Sequence, residues 1–129
     1  MTYVDTSVIL ATVFAEPVSP GSELWSRPAL VTSRLSEMEA WVRVHAYGRG
    51  ATHGASLAAV LARLDVVELD EASCARCRAP FPTPVRTLDA LHLATADFLR
   101  CQGFVLEFAC YDRRLASAAT AMGFALATT

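Results

Sequence analysis

Apolar residues along this chain occur in short runs that alternate with longer segments of helical periodicity. The short runs predict buried strands, because apolar stretches of this length bounded by polar or turn-forming residues are typical of sheet interiors. The predicted strands cover residues 2–4, 29–32, 66–69, 104–111 and 124–127.

The segments between these strands predict helices, which begin near capping residues and end near glycine or proline. One begins at Ser33 or Ser36 and ends at Gly48 and Gly50. The others cover residues 6–15, 21–26, 54–64, 71–78, 88–101 and 113–122. The three prolines of residues 79–84 deny both helix and strand, and this segment is predicted to be an extended loop.

Strands that alternate with helices predict an α/β fold, a central parallel β-sheet flanked by helices on both faces. No repeat, linker or low-complexity segment divides the chain, so residues 1–129 are predicted to form a single domain. Ligands of such sheets bind beyond the carboxyl ends of the strands. Functional residues are therefore expected at that edge.

Composition and charge exclude several classes of protein. The chain has 129 residues, 53% of them hydrophobic, so it is not a disordered segment. No apolar stretch approaches the roughly 20 residues of a membrane span, and the amino terminus lacks a cationic start, which together favour a cytoplasmic protein. The net charge is -2, which argues against a protein that coats nucleic acid, although every basic side chain is an arginine.

Four acidic residues are predicted to meet at the carboxyl edge of the sheet. Asp5 ends the first strand, Asp112 follows the fourth, Asp89 lies in the first turn of its helix, and Glu39 lies one turn into another. Clustered carboxylates repel one another unless a cation neutralises them, and oxygen-only clusters select Mg²⁺ or Mn²⁺. Each residue also has an ordinary structural reading, as a helix cap, a first-turn acid or a solvated side chain.

Two glutamates compete in the helix that carries Glu39. Leu35, Met38, Val42 and Ala46 lie at helical spacing and predict its buried face. Glu39 shares a side with this stripe, whereas Glu37 points to nearly the opposite side and is predicted to face solvent. The pattern favours Glu39.

Several segments together resemble the PIN-domain family, and within it the VapC-type ribonuclease toxins of type II toxin–antitoxin pairs. The resemblance covers nearly the whole chain, and its most specific part is the LDALHLATA block. The segments are YVDTS at residues 3–7, TSRLSEME at 32–39, TLDALHLATA at 87–96 and YDRRL at 111–115.

The resemblance implies a PIN-like domain in which Asp5, Glu39, Asp89 and Asp112 bind Mg²⁺ or Mn²⁺. It implies that a metal-activated water cuts RNA, that the protein forms a homodimer, and that a cognate VapB-like antitoxin inhibits it.

Four further residues are candidate substrate-binding groups on their own chemistry. Thr6 and Ser7 can cap a helix or hold a metal-bound water or a phosphate at its amino terminus. Arg86, and Arg113 together with the adjacent Arg114, can clamp RNA phosphates or remain solvated.

Other polar residues favour structural roles. His92 follows Asp89 by three residues, but imidazole suits an oxygen-only magnesium site poorly, and it is interpreted as a satisfied helix histidine. Asp97 lies about 12 Å along the helix from Asp89, too far to share one ion. Cys74 and Cys77 form a lone CxxC pair, interpreted as reduced thiols because no second pair completes a zinc site.

Three further functions stay open at this point. One is a phosphatase of the haloacid dehalogenase type with Asp5 as nucleophile, although such sites want a second aspartate where Ser7 stands. The second is a catalytically silent domain that binds a partner or RNA, and the third is a nuclease that processes RNA without acting as a toxin.

Overall fold

A five-stranded parallel sheet runs through the centre of the computed structural model, which describes residues 1–129. The strands are β1 (Thr2–Val4), β2 (Leu30–Ser33), β3 (Asp65–Val67), β4 (Glu107–Ala109) and β5 (Ala125–Leu126). The helices are α1 (Thr6–Val13), α2 (Ser22–Trp25), α3 (Arg34–Ala46), α4 (Gly50–Leu61), α5 (Glu71–Cys74), α6 (Thr87–Cys101) and α7 (Arg113–Ala121). A single 3₁₀ turn, Ala75–Arg78, follows α5.

The strand order is β3-β2-β1-β4-β5, and every pair is parallel. This confirms the predicted α/β class with a central parallel sheet. The first strand lies in the middle, between β2 and β4, and the chain winds outward from it in both directions. The order therefore reverses between β1 and β4, which creates a crevice at their carboxyl ends.

Side chains of the central strands alternate between two hydrophobic clusters, as the period of a strand requires. Tyr3 and Phe108 point into the cluster beneath α6 and α7, and their rings stack with centroids 4.9 Å apart. Val4 and Ala109 point into the cluster beneath α1, α3 and α4. Helices cover both faces of the sheet, as predicted.

The predicted elements exist, but several of their ends differ. The strand expected over residues 104–111 is paired only over Glu107–Ala109, and Phe104 and Val105 are exposed. Gly48 follows the third helix with a φ of +65°, a conformation that suits glycine. Gly50, by contrast, begins α4 and does not end α3, so that part of the prediction is wrong.

The predicted buried face of α3 is also wrong. Met38 is 46% exposed and Val42 is 67% exposed. The helix instead buries Ser36, Ala40 and Val44. Small side chains at Ser36 and Ala40 let the helix pack closely, whereas periodicity alone cannot tell which side the neighbouring elements will cover.

A salt bridge lies at the amino ends of the strands, opposite the carboxyl edge of the sheet. Glu107 opens β4 and bonds to the Arg27 guanidinium, which also donates to the Thr2 hydroxyl at 3.0 Å. This contact accounts for the one acidic residue in an otherwise apolar strand. It lies at the amino ends of the strands, away from the carboxyl edge.

The apolar stripe on α4 and the turn after it forms part of the core. Leu57 and Leu64 are buried, and Val60 and Leu61 pack against the same cluster.

None of the helices is both long enough and apolar enough to cross a lipid bilayer.

Candidate functional site

The reversal of strand order brings together two aspartates that are far apart in sequence. Asp5 immediately follows β1, and Asp112 follows β4 by a short connection. The Asp5 backbone N–H donates to the Ala109 carbonyl at 3.0 Å, which extends the pairing of β1 and β4 to the end of the strands. Both side chains line the crevice at the carboxyl edge.

Asp5 caps α1 with one of its carboxylate oxygens. Its Oδ2 accepts from the Ser7 backbone N–H at 3.1 Å and from the Ser7 hydroxyl at 2.7 Å. Its Oδ1 accepts no hydrogen bond, and the His92 Nε2 atom lies 3.6 Å from it. Asp5 is buried, and it still forms part of the wall of the crevice.

Asp112 caps α7 in a similar way. Its Oδ1 accepts from the backbone N–H groups of Arg114 at 2.9 Å and Leu115 at 3.1 Å, while Oδ2 accepts no hydrogen bond. The capping roles that the sequence left open for Asp5 and Asp112 are therefore real. They occupy only one oxygen of each carboxylate and leave the other for a ligand.

Glu39 reaches the crevice from the second turn of α3. Its Oε1 accepts from the Thr6 hydroxyl at 3.0 Å and from His92 Nε2 at 2.6 Å. Burial alone would raise the pKa of Glu39, but the hydrogen bonds from His92 and Thr6 and the charge of His92 outweigh it and lower that pKa. Glu39 is thus held ionised, with Oε2 free of hydrogen bonds.

His92 ties the site to the interior of the sheet. Its ring is 3% exposed, and its Nδ1 lies 2.9 Å from the Tyr3 hydroxyl. Burial lowers the pKa of His92, but the hydrogen bond to Glu39 and the charges of Asp5, Glu39 and Asp89 outweigh it and raise that pKa. The histidine is satisfied, as the sequence favoured; its bond to Glu39 was not foreseen. The only signal for it was the shared helix side of Asp89 and His92.

Asp89 lies on the first turn of α6 and forms no hydrogen bond through its side chain. Burial raises its pKa, and the neighbouring negative charges of Asp112 and Asp5 raise it further, against the lowering effects of His92 and Arg114. A carboxylate in this position gains from any added positive charge.

One cleft of about 230 Å³ gathers these groups. It is lined by the four acidic residues together with Thr6, Ser7, Leu10, Arg43, His92 and Leu115. An oxygen-rich donor set of this kind fits a hard divalent cation. No three of the chain's His, Cys, Asp and Glu side chains already surround one point, so a cation would have to draw the carboxylates together.

A second, larger cleft of about 500 Å³ opens beside the first and shares Glu39, Arg43, Asp89 and Asp112 with it. Arg86, predicted from the sequence, lines this cleft. Arg113 lines neither cleft, whereas the adjacent Arg114 lines the second. Arg43 was not predicted, although it follows Glu39 by four residues and therefore lies on the same side of α3.

The hydroxyl groups of Thr6 and Ser7 are already engaged. Thr6 donates to Glu39, and Ser7 donates to Asp5 while accepting from the Tyr111 backbone N–H at 2.9 Å. Both side chains line the cleft, and their bonds orient carboxylates.

The competing acidic residues lie elsewhere. Glu37 pairs with Arg34, and its side chain is 21% exposed against 29% for Glu39, so the prediction that it faces solvent is wrong. Asp97 is 15% exposed and pairs with Arg100 and Arg76. All four cysteines are free thiols.

Comparison with known proteins gives a consistent result. The chain matches the PIN domain family over residues 2–128. It is 34% identical to Ribonuclease VapC35 of Mycobacterium tuberculosis, over 98% of this chain and 95% of that protein. It is similar to two other proteins of that organism: 34% identical to Ribonuclease VapC46, over 96% and 94% of the two chains, and 30% identical to Ribonuclease VapC47, over 99% and 96%. With a family match and relatives that each span almost the whole chain, this protein belongs to the PIN domain family.

Proposed function

We propose that this protein is a metal-dependent endoribonuclease and the toxin component of a type II toxin–antitoxin module. The observation that carries the proposal is the convergence of Asp5, Glu39, Asp89 and Asp112, from four separate elements, on one cleft. Similarity to three ribonucleases over nearly the full chain supports RNA as the substrate.

Mg²⁺ or Mn²⁺ is the proposed cofactor, held by the carboxylate oxygens that form no hydrogen bond within the protein. A bound divalent ion at this place supplies a water of lowered pKa and neutralises charge on the scissile phosphate. Asp5 and Asp89 are the proposed main ligands, because Asp5 is held rigidly by its cap and Asp89 has both oxygens free.

The remaining residues of the cleft orient these ligands. Ser7 fixes Asp5, and Thr6 and His92 fix Glu39, so the movement that brings the carboxylates around a cation falls mainly on Asp89, whose side chain forms no hydrogen bond. Glu39 and Asp112 each keep one carboxylate oxygen free of hydrogen bonds and complete the acidic lining of the cleft. Leu10 and Leu115 add the apolar part of the wall.

The proposal extends to partners and place of action. A toxin of this kind requires a cognate VapB-like antitoxin protein, and we propose that the active protein is a homodimer acting on RNA in the cytoplasm. Light scattering on the purified protein, alone and with the product of a neighbouring small gene, tests both associations.

The deciding experiment is cleavage of labelled single-stranded RNA and tRNA by the purified protein with Mg²⁺ or Mn²⁺, and again with EDTA. We expect metal-dependent cutting that Asp5→Asn and Asp89→Asn abolish. Asp97→Asn, on the same helix as Asp89 but outside the cleft, is the matched control and should still cut.

Divalent-ion binding without cutting of any RNA would contradict the ribonuclease and leave a metal-binding domain. If neither cutting nor ion binding occurred, Asp5 and Asp112 would be helix caps only, and a catalytically silent binding domain would replace the proposal.

A further inference from the structure

The arginines of this chain divide into two groups according to their partners. Five of them form salt bridges with carboxylates: Arg27, Arg34, Arg76, Arg78 and Arg100. The other six form no salt bridge, although the protein carries a net negative charge. Two of the six, Arg49 and Arg63, lie over the rings of Phe14 and Trp25. The remaining four are Arg43, which lies over the Tyr47 ring, and Arg86, Arg113 and Arg114.

Three of these four guanidinium groups line the second cleft. Arg43 comes from α3, Arg86 from the residue before α6, and Arg114 from the first turn of α7. None of them lies within salt-bridge distance of Glu39, Asp89 or Asp112, which line the same cleft. Arg86 and Arg114 donate no hydrogen bond from their side chains, so their N–H groups face solvent and are free for a ligand.

The position of the arginines relative to the acidic residues restricts the kind of ligand. Arg43 lines both clefts, so the two are continuous. A ligand that fills both clefts must place one negatively charged group beside the cation of the first cleft and another beside the arginines of the second. A phosphodiester chain can do this, because it carries one phosphate at each nucleotide step.

We propose that Arg43, Arg86 and Arg114 bind phosphates of the RNA strand that flank the scissile phosphate. The inference rests on the proposed ribonuclease function and adds to it that recognition requires more than one phosphodiester. Leu88, which is 49% exposed and lines the same cleft, provides an apolar surface for a base or sugar.

This arrangement gives the arginines a role distinct from that of the carboxylates. Guanidinium groups bind phosphate oxygens through paired N–H donors and fix the register of the strand without reading its bases. Loss of one arginine should therefore lower kcat/KM for RNA but leave the rate of hydrolysis of a single phosphodiester unchanged.

The test compares two substrates with Mn²⁺ present: a short single-stranded RNA and bis(p-nitrophenyl) phosphate, which contains one phosphodiester and no flanking phosphate. We expect Arg86→Gln and Arg114→Gln each to lower kcat/KM for RNA about tenfold, mainly through KM, because one charged hydrogen-bonded contact is lost. The rate on bis(p-nitrophenyl) phosphate should not change. The dependence of log KM on log salt should become shallower by about 0.7 for each arginine removed.

Arg78→Gln is the matched control, because Arg78 is exposed, lies outside both clefts and pairs only with an exposed Glu71. It should leave both substrates unaffected. An equal loss in Arg78→Gln would overturn the proposal in favour of bulk charge. Equal losses on both substrates in Arg86→Gln and Arg114→Gln would also overturn it, since the arginines would then act at the scissile phosphate.

A direct binding measurement separates this inference from the proposed function. If the wild type cuts neither substrate, the ribonuclease fails, but fluorescence anisotropy with labelled RNA still reports on the arginines. Weaker RNA binding by Arg86→Gln and Arg114→Gln than by Arg78→Gln would support them as a phosphate site. Equal affinity for a polyglutamate peptide and for RNA of the same length would overturn the assignment to RNA.

Discussion

His92 donates a hydrogen bond to Glu39 across 2.6 Å, from the middle of α6 to the second turn of α3. The same imidazole reaches the Tyr3 hydroxyl on β1 through its other nitrogen. A buried chain of three polar groups therefore connects the central strand to a carboxylate at the cleft. The position of the Glu39 carboxylate is therefore set by hydrogen bonds to buried side chains of the protein core.

Replacing His92 should affect both stability and metal binding. His92→Asn removes the bonds to Glu39 and to the Tyr3 hydroxyl, so we expect the free energy of unfolding to fall by about 1–3 kcal/mol. Mn²⁺ affinity should fall about tenfold, because a positioned carboxylate loses its support. Urea unfolding and calorimetric titration measure the two effects. His45→Asn, at an exposed histidine of α3, is the control, and equal losses in it would contradict this role.

The contribution of His92 should depend on pH in a defined direction. Its pKa is raised in the folded protein, so its stabilising effect is fully present below about 6.5 and is lost as pH rises through the folded pKa. The pKa of Glu39 is lowered, so its contribution is present above about 4.5 and is lost as pH falls through its folded pKa. We therefore expect the difference in unfolding free energy between wild type and His92→Asn, measured in EDTA, to be largest in mildly acidic solution. A difference that grew from pH 7 to pH 9 would contradict the assignment.

Asp89→Asn should have opposite effects on the protein with and without metal. The pKa of Asp89 is raised by burial and by Asp112 and Asp5, so its charge destabilises the metal-free fold at neutral pH. Thermal unfolding in EDTA should therefore show an equal or higher Tm in Asp89→Asn than in the wild type. Added Mn²⁺ should raise the Tm of the wild type only, since binding to the folded state stabilises it.

Asp97→Asn is the control for that experiment. Asp97 lies on the same helix but pairs with Arg100, and its substitution should preserve the Mn²⁺-dependent rise in Tm. A Tm rise in Asp89→Asn as large as that of the wild type would show that Asp89 is not a ligand.

Ser7→Ala should destabilise the protein by about 1–3 kcal/mol. Its hydroxyl donates to Asp5 and accepts from the Tyr111 backbone N–H, and both partners would lose a bond in a part-buried place. Urea unfolding measures the loss. Ser117→Ala, at an exposed position of α7, should stay within about 0.5 kcal/mol of the wild type. A matching loss in the control would indicate a helix effect unrelated to Asp5.

Much of the fold was determined by the sequence itself. The alternation of short apolar runs with helical segments determined the α/β class and the parallel sheet, because only helical crossovers on both faces can bury such strands. It also placed Asp5 directly after the first strand and Asp112 close to the end of the fourth, because each follows an apolar run. The sequence did not predict correctly which face of α3 is buried or how long β4 is. Met38 and Val42 are exposed because neighbouring elements cover the other side of α3.

The composition of the site was decided by tertiary structure. No local pattern states that β4 pairs with β1, yet that pairing alone brings Asp112 beside Asp5. The bond between His92 and Glu39 spans 53 residues, and Arg43 and Arg114 join Arg86 only when three distant elements pack at one edge. Sequence patterns report the environment of each residue along its own element, whereas distances between elements depend on how the whole core packs.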